Sequence, residues 1–419
     1  MDEIAINHTF HSTMRKFDPQ YYDIAIVGGG LIGIITALRI ADLCEQKDWR
    51  MVFIAPKNEQ TDNRTTALFM KSIKMIDKLG VWEACHSHSS PLKIIRIIDD
   101  RSRLIKTPII EFNAKEMNQE AFGYNIPNSI FLKALNNQLS LYKKLYKKSF
   151  QSIDEPLIGA ESTRKSMMLT LKNRNRINAR FVIAVDGRRS LLRAVSNIDC
   201  HEWQYEQTAL TFSFQHELPH NFVSNEFHTK SGPITQVPLP KNHTSHHRSS
   251  LVWVTKPDRA YQLKALSHIT LSRNLEIALH SILGKVVIEE PIQSYPILGM
   301  TVKSFGSNRV ALAGEAAHVL PPIGAQGLNL GLRDIDDLTS AIKTTTVGDF
   351  LNIKNVIQTY NKARKVDASL TTSCIDILNR SLLNNSLLVQ LTRVLTLSLA
   401  QESSILRRFL MHYGMGNRC

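Results

Sequence analysis

The sequence predicts an α/β protein in which a doubly wound module is interleaved with an inserted sheet and followed by a helical tail. Three observations predict this fold class. Residues 23–54 read as strand, glycine turn, helix and strand, residues 201–300 are rich in strand patterns, and helical periodicity dominates beyond Phe350. Alternating strands and helices are typical of a doubly wound sheet, whereas a run of strands indicates a separate layer.

Length and composition exclude several protein classes. The chain has 419 residues, of which 43% are hydrophobic and 21% are charged, as in a globular protein of two or three domains. Its formal net charge of +14 favours anionic partners such as nucleic acid, acidic lipid or a phosphorylated cofactor. No nucleic-acid recognition motif accompanies the charge, so we expect no nucleic-acid partner.

The cysteines indicate a reducing compartment. They are widely spaced and form no CxxC pair, which argues against a disulfide framework and a zinc site; they are Cys44, Cys85, Cys200, Cys374 and Cys419. Residues 1–20 lack the apolar core of a signal peptide, and no apolar run reaches the ~18 residues of a spanning helix. We therefore expect a cytoplasmic protein without a metal ion.

The first glycine turn is a candidate phosphate-binding site. A strand at Asp23–Val27 leads into Gly28-x-Gly30-x-x-Gly33, and a helix from Ile34 follows. In this context the first glycine permits the turn, the second lets the backbone approach a pyrophosphate, and the third lets the helix pack closely. The helix N-terminus also attracts phosphate charge. A purely structural turn is the alternative.

One part of the dinucleotide-binding pattern is missing. A carboxylate that holds the ribose usually ends the second strand, about 20 residues after the turn. Here the second strand, Met51–Ile54, ends at Ala55-Pro56, and the nearest acids are Glu59 and Asp62. The sequence therefore predicts that the ribose contact is weakened or is supplied elsewhere.

Later elements follow from their periodicity. Helices are predicted over 67–86 and 129–146, and short apolar runs predict strands at 169–171, 181–185 and 309–313.

Three polar segments are also assigned. Residues 93–105 read as a hairpin with its turn at 99–102, and Asn242–Ser250 reads as a His- and Ser-rich loop. Basic residues at alternate positions of Lys172–Arg176 indicate a solvated strand face.

Two further glycine turns follow strands. Asp186-Gly187, taken alone, reads as a simple Asp-Gly turn. Gly314-Glu315 leads through a Pro-Pro corner and a glycine-rich loop into a helix that we expect to begin near Leu328. The charged residues of that helix are assigned to its exposed surface; they are Arg333, Asp334, Asp336 and Asp337.

The three turns, in this order and spacing, resemble the class A flavoprotein monooxygenases of the p-hydroxybenzoate hydroxylase type. Within that group the sequence is most similar to the ubiquinone-biosynthesis hydroxylases. The similarity spans residues 22–345 and includes four more segments, Asn63–Leu68, Gly123–Ser129, Ser250–Trp253 and Tyr295–Gly299. The resemblance implies a Rossmann-like FAD-binding domain interleaved with a β-sheet substrate domain.

The resemblance also implies domain boundaries. The FAD-binding domain would be discontinuous and the substrate domain inserted into it. The FAD-binding domain would comprise 21–90, 120–200 and 301–350, the substrate domain 91–119 and 201–300, and the C-terminal helical region 351–419.

FAD would be held from two ends, as the resemblance implies. Gly28, Gly30 and Gly33 would take the pyrophosphate, and Arg64 would lie near the flavin phosphate or the nicotinamide approach. Glu315 would hold the ribityl or pyrophosphate-side hydroxyls, with Glu where most of the family has Asp, and Gly314 beside it is a further cofactor contact. The remaining implied contacts are Asp186 and Gly187 of the Asp-Gly fingerprint and Pro322, Gly324, Gly327, Leu328 and Asn329 of the flavin loop.

The implied reaction uses FAD, NAD(P)H as a transient co-substrate and dioxygen to hydroxylate a polyprenylated phenol in ubiquinone biosynthesis. No catalytic side chain is assigned; His318 is interpreted as structural, and His86, His88 and His246-His247 as solvated. Two alternatives remain: a sibling enzyme acting on a soluble aromatic acid, and an inactive flavin-binding scaffold of a biosynthetic complex.

The tail carries leucines at helical spacing. They are Leu383, Leu387, Leu388, Leu391, Leu395 and Leu399. Core packing is the default interpretation; the alternative is docking to the inner face of the membrane or to other ubiquinone-biosynthesis proteins, aided by Arg407-Arg408.

Overall fold

The computed structural model describes residues 21–56, 62–101, 109–241, 246–345, 351–383, 398–399 and 401–416. The helices in these ranges are α1 (Leu31–Gln46), α2 (Met70–Lys78), α3 (Trp82–His86), α4 (Asn128–Leu145), α5 (Leu191–Val195), α6 (Pro257–Lys264), α7 (His268–Ala278), α8 (Gln326–Thr345), α9 (Ile353–Leu383) and α10 (Ser404–Gly414). Short 3₁₀ helices occupy Ala114–Met117 and Gly314–Ala316.

The strands belong to three sheets. In chain order they are β1 (Tyr21–Val27), β2 (Met51–Ile54), β3 (Thr65–Phe69), β4 (Ser90–Leu92), β5 (Ile94–Asp99), β6 (Ile110–Asn113), β7 (Gly123–Pro127), β8 (Phe150–Ile153), β9 (Leu157–Ser162), β10 (Met167–Leu171), β11 (Arg176–Ala184), β12 (Cys200–His216), β13 (Val223–Thr229), β14 (Gly232–Leu239), β15 (His247–Thr255), β16 (Val286–Val302), β17 (Gly306–Ser307), β18 (Val310–Leu312) and β19 (His318–Val319).

The first sheet carries the glycine turns. Its order is β17-β18-β11-β1-β2-β8, with β10 and β9 added beside β11. β1 runs parallel to both β2 and β11, and β11 runs parallel to β18. Every residue of β1 is buried, as expected for a parallel strand covered on both faces. Because the strands are parallel, β1, β11 and β18 end at the same edge, where ligands bind in such sheets.

The second sheet has the order β19-β16-β12-β15-β14-β13-β5-β6. Its long strands β12 and β16 pair antiparallel along most of their length. One face buries an apolar core that includes Phe212, Phe214 and Leu251 and is covered by Leu263 of α6 and Leu271 of α7. The opposite face of this sheet is directed towards the rest of the protein.

A small third sheet, β3-β7-β4, packs against the second. Thr65 Oγ on β3 donates to Ser250 Oγ on β15 (2.9 Å), and Asn125 Nδ2 on β7 donates to the Pro238 carbonyl on β14 (2.9 Å). The predicted fold class is confirmed, since a parallel sheet, a separate strand-rich layer and a helical tail are all present.

The predicted helix over 67–86 is wrong in part. Residues 65–69 form β3, and two helices, α2 and α3, follow. Gly80, with φ of +70°, lies between them, and a residue in this conformation ends a helix. The first residues pair with β7 instead, which shows how a short apolar run is ambiguous between helix and strand.

Two other predictions need correction. Residues 172–175 form the exposed turn between β10 and β11 rather than a strand face, with Arg174 at φ of +65°. The polar loop predicted to extend to Ser250 ends earlier, because β15 begins at His247, and residues 242–245 lie outside the described ranges. The predicted strand at 103–105 also lies outside the described ranges. β5 pairs with β6.

The tail is helical in its described parts, as predicted. Of the leucine stripe, Leu387, Leu388, Leu391 and Leu395 lie outside the described residues, and Leu399 is exposed. No helix in the described part of the chain combines the length and apolar character needed to cross a bilayer.

Candidate functional site

The first glycine turn joins β1 to α1, and two of its positions admit only glycine. Gly28 has φ of +127°, and a Cβ there would lie 2.1 Å from the carbonyl oxygen of Val185. A Cβ on Gly33 would lie 1.8 Å from the carbonyl oxygen of Gly28. Such close approaches require a residue without a side chain, so these two glycines shape the turn.

Gly30 faces open space instead. It is the N-cap of α1, no side chain caps the helix, and its first turn holds no acidic residue. A Cβ on Gly30 would meet no described atom within 4 Å. The first N–H groups of a helix lack partners within it and attract anions. An open, uncapped helix N-terminus fits a pyrophosphate.

The second turn lies beside the first. Val185 N donates to the Val27 carbonyl (2.9 Å), which places Asp186 next to the end of β1. Asp186 Oδ2 accepts a weak hydrogen bond from Leu192 N (3.4 Å), and Oδ1 is a buried atom to which no described residue donates. Burial raises the pKa of Asp186. Gly187, at φ of +82°, adjoins open space, so the orphan oxygen fits a donor from a bound cofactor.

We expect FAD to bind more weakly as the pH falls towards the raised pKa of Asp186. A donor from FAD would favour the ionised carboxylate, so binding would lower this pKa and release a proton. The Kd, followed by flavin fluorescence, should therefore rise on acidification, in a range above the ordinary value of 3.8. Asp186→Asn should flatten the dependence; an unchanged slope in the variant would contradict this role.

The third turn is fastened to its neighbours by a buried arginine. Gly314 has φ of +59°, and a Cβ added at Gly314 would lie 3.3 Å from the side chain of Ile32 on α1. Arg193, on α5, donates to the Ala316 carbonyl (3.0 Å) and to the Arg188 carbonyl (2.8 Å). It thereby holds the third turn against the loop that follows β11. The sequence analysis did not identify this residue.

Asp334 lies at the centre of a buried charge network rather than on the helix surface. Its Oδ2 accepts from Gly314 N (2.9 Å) and lies 2.7 Å from His318 Nε2, and its Oδ1 accepts from Arg364 Nε (2.7 Å). Burial raises the pKa of Asp334, but His318 and Arg364 outweigh it and hold the pKa below its usual value. His318 is buried, and its partner is this carboxylate.

The neighbouring charges of α8 also depart from the predicted surface role. Arg333 is buried and donates to Asp367 (2.8 Å), and Asp337 accepts from Arg364 (2.9 Å). Asp336 alone of the four fits the surface assignment, with 42% of its side chain exposed. The physical reason is that α8 packs against both α1 and α9. One face of an isolated surface helix stays in water, whereas a helix with packed neighbours on both sides must pair its charges.

The loop before α8 presents an open, glycine-lined edge. Gly324 has φ of +61°, and neither it nor Gly327 would place a Cβ within 4 Å of a described atom. Pro322 is exposed, and α8 begins at Gln326, slightly before the predicted Leu328, which is half-buried. A planar ring system could approach this edge without meeting a side chain.

The side chain of Asn329 bonds within the protein. Its Oδ1 accepts from Phe69 N (3.0 Å) and Ser72 Oγ (2.7 Å), and its Nδ2 donates to the carbonyls of Ala67 (2.8 Å) and Ala325 (2.7 Å). An amide has two donors and two acceptor positions, and the protein uses them all. The Asn329 side chain therefore positions the loop and is not available to a cofactor.

Arg64 lies between the third turn and the second sheet. Its guanidinium pairs with Asp62 through two hydrogen bonds of 2.8 Å and stands 5.0 Å from the ring centre of Tyr295 on β16. The hydrogen bonds that Arg64 donates to Asp62 raise the pKa of Arg64, and the charge of the exposed Glu315 adds to this. Asp62, one of the two acids nearest to the end of β2, is therefore engaged with Arg64 and Asn128.

A cleft opens beside Arg64, between β3 and the second sheet. Its lining is mostly polar and includes Thr65, Ser129, Ser213, Arg248 and Glu289. Arg248 and Glu289 form a two-point ion pair, with distances of 2.8 and 2.7 Å. The cleft is a candidate substrate site because Arg64, which flanks it, also lies near Glu315 of the third turn.

The described residues contain no group of three or more His, Cys, Asp or Glu side chains that could hold a metal ion. Cys85, Cys200 and Cys374 form no disulfide with another described residue. His86 and His88 are exposed, whereas His247 is half-buried and stacks on His216 with ring centres 5.9 Å apart, so the solvated assignment is wrong for His247.

These features fit FAD. The uncapped N-terminus of α1 suits the pyrophosphate, the orphan oxygen of Asp186 suits a hydroxyl donor, and the glycine-lined edge suits the flavin ring. Glu315 is exposed next to Arg64, where it could reach the ribityl side.

Comparisons with known proteins agree with this geometry. Ubiquinone hydroxylase UbiL of Rhodospirillum rubrum is 28% identical over 404 residues, covering 94% of this chain and 89% of that protein. The 3-demethoxyubiquinol 3-hydroxylase of Escherichia coli is 28% identical, covering 94% of this chain and 98% of that protein.

Solved structures show the same fold. The p-nitrophenol 4-monooxygenase PnpA from Pseudomonas putida matches with a TM-score of 0.73 and 16% identity, covering 96% of this chain and all of that one. HpxO of Klebsiella pneumoniae, complexed with FAD and uric acid, matches with a TM-score of 0.71 and 14% identity, covering 94% and 96% of the two chains. The family model described as FAD binding domain matches residues 21–372, and the chain therefore belongs to the FAD binding domain family.

Proposed function

We propose that the protein is an FAD-dependent monooxygenase that hydroxylates the aromatic ring of a polyprenylated phenol in ubiquinone biosynthesis, using NAD(P)H and dioxygen. One observation carries this proposal: two relatives named for hydroxylation of ubiquinone or demethoxyubiquinol match 94% of the chain. One oxygen atom would enter the ring, the other would leave as water, and NAD(P)H would supply the two electrons.

The residues of this chain have separable roles in the proposed reaction. Bound FAD would supply hydride acceptance and oxygen activation. Gly30 and the N-terminus of α1 would hold the pyrophosphate, and Asp186 would accept a hydrogen bond from the cofactor. Arg193 and Asp334 would keep the third turn in place. The N-terminus of α8 would direct its N–H groups towards the flavin edge and stabilise negative charge there.

The experiment is a coupled assay with labelled oxygen. The yellow holoenzyme is given a phenol with a short prenyl chain, NAD(P)H and ¹⁸O₂. We expect one ¹⁸O atom in each product molecule and one NAD(P)H consumed per product. Oxidation of NAD(P)H without product would point to a different aromatic substrate, and a flavoprotein that neither oxidises NAD(P)H nor forms product would be the inactive scaffold.

We also propose that the tail docks to an anionic membrane surface, from which a polyprenylated substrate would come. Arg407 does not fit the predicted role as a free cation, because its Nε donates to Glu116 (3.0 Å). The outward face of α10 instead carries Ile405, Phe409 and the neighbouring exposed Arg408. Apolar side chains with an adjacent cation are typical of interfacial helices.

We expect the protein to bind vesicles that contain acidic lipid, and Phe409→Glu with Arg408→Glu to weaken this binding. A basic residue near such a surface contributes about 1 kcal/mol, and salt screens it. Co-sedimentation at low and high salt measures the effect. The matched control is Ile277→Glu, an equally apolar exposed residue on α7, which should change nothing; equal loss in both variants would contradict docking through α10.

A further inference from the structure

We propose that the ion pair between Arg248 and Glu289 sets substrate specificity, because it cancels the positive charge of the cleft. The cleft would then accept an uncharged phenol and reject an aromatic carboxylate. This inference rests on the proposed function, since it takes the cleft as the place of the aromatic ring.

The pair is built into the sheet rather than formed by loose surface side chains. Arg248 lies on β15 and Glu289 on β16, and β12 runs between these two strands. Ser213 of β12 is the register partner of Glu289 and also lines the cleft. Its small side chain leaves room for the two longer ones to meet above it. The Arg248 and Glu289 side chains are only 24% and 20% exposed, so water screens the pair poorly.

The second arginine beside the cleft, Arg64, is also paired with a carboxylate. Arg64 is held by Asp62 through two hydrogen bonds, and Arg248 is the single cation among the described residues that line the cleft. Each arginine therefore has a carboxylate partner, although the whole chain carries a net charge of +14. The basic surplus does not extend into this cleft.

A carboxylate ligand would meet two penalties here. Glu289 would repel it, and recruiting Arg248 to the ligand would leave Glu289 half-buried without its partner. Placing a like charge at the site disfavours the wrong ligand rather than attracting the right one. A neutral phenol meets neither penalty, and the hydroxyls of Ser129 and Ser213 can each donate and accept a hydrogen bond.

The test measures ligand binding to the holoenzyme through the absorbance change of its flavin. The two probes are 4-hydroxybenzoate and a neutral phenol with a short prenyl chain. Wild type should bind the neutral probe and bind 4-hydroxybenzoate weakly. Glu289→Gln keeps the shape but removes the negative charge, so the Kd for 4-hydroxybenzoate should fall by roughly tenfold to a hundredfold, as for a new charge-assisted hydrogen bond. The Kd for the neutral probe should change little.

Two further variants distinguish the effect of a charge in the cleft from the effect of a charge elsewhere on the protein. Glu111→Gln removes the partner of Arg96 elsewhere in the same sheet (2.7 Å) and should leave both Kd values unchanged. Arg248→Gln should improve binding of tyramine, an aromatic ammonium, because Glu289 is then unpaired. This second variant tests the inference even where Glu289→Gln loses FAD.

Distinct results overturn the two claims. The specificity role would be overturned if Glu289→Gln bound 4-hydroxybenzoate no more tightly than wild type does. It would also be overturned if Glu111→Gln gained as much affinity for 4-hydroxybenzoate as Glu289→Gln. Failure of the proposed function would look different: wild type would then neither bind nor hydroxylate the neutral prenylated phenol.

Discussion

Gly30→Val will purify as a folded, colourless apoprotein. A Cβ at this position meets no described atom, and Gly30 has an ordinary negative φ of −73°, so the fold tolerates the side chain. The added isopropyl group would occupy the space in which the pyrophosphate should meet the N-terminus of α1. Loss of two charge-assisted hydrogen bonds, at about 1.5–3 kcal/mol each, would weaken FAD binding by roughly a hundredfold or more.

Gly33→Val is the informative contrast. Its Cβ would lie 1.8 Å from the carbonyl oxygen of Gly28, so α1 would have to leave the sheet and the protein should be recovered in low yield or unfolded. Gly159→Val, on β9 where a Cβ makes ordinary contact with Thr170 at 3.7 Å, serves as the neutral control. Circular dichroism and the flavin absorbance separate these cases. A folded Gly30→Val protein that retains one FAD per chain would contradict the assignment of the pyrophosphate to Gly30 and the N-terminus of α1.

Arg364→Gln will lose both stability and FAD affinity. Arg364 is fully buried, and removing it leaves the Asp334 carboxylate without the guanidinium that pairs with its Oδ1, at a cost of about 3–5 kcal/mol. Asp334 would then turn or take up a proton, and the N–H of Gly314 would lose a firm acceptor. The third turn, proposed to hold the ribityl side of FAD, would move with it.

Asp334→Asn should act in the same direction for a different reason. One oxygen can still accept from Gly314, but the new NH₂ group then faces the Nε donor of Arg364. The wild-type contribution of Asp334 has a defined pH dependence: since its folded pKa lies below 3.8, the stabilisation is present at neutral pH and is lost as the pH falls through the folded pKa.

Arg333→Gln is the matched control, because Arg333 is also buried and also joins α8 to α9, through Asp367 (2.8 Å). Its hydrogen bonds to Asp367 and Thr371 both join α8 to α9, so the variant should lower the melting temperature and leave the Kd for FAD nearly unchanged. Equal loss of FAD affinity in Arg333→Gln and Arg364→Gln would show that the network serves only general stability.

Local signals in the sequence predicted the glycine turns. Gly28 and Gly33 lie at close backbone approaches, and the need for glycine at both positions produces a spacing pattern that is visible in the sequence. The split of the helix predicted over 67–86 was not accessible, because the pairing of β3 with β7 decides it and those residues are far apart in sequence. Tertiary contacts override local preference in such short apolar runs.

The charges were harder to place than the glycines. Asp334 stands between Leu330 and Leu338 at four-residue spacing, all three on one buried helix face, and this spacing is the signal that could have identified it. Arg364 shows the same spacing, since it stands between the buried Tyr360 and Ala368. The contact of Arg193 with Ala316 leaves no such signal, because the two residues come from distant segments. The same is true of Arg248 and Glu289, 41 residues apart.

The strand order of the first sheet has a consequence for synthesis on the ribosome. β1 and β2 emerge first, but β11 completes the other side of β1 only much later, and β18 must wait for most of the chain. Until then β1 carries an unpaired edge, which is prone to association with other chains. The three turns come from the beginning, middle and end of the sheet-forming chain, so no nascent fragment holds the whole cofactor cradle. FAD can therefore bind only once β18 and the third turn have formed, and a cell short of flavin would accumulate full-length apoprotein.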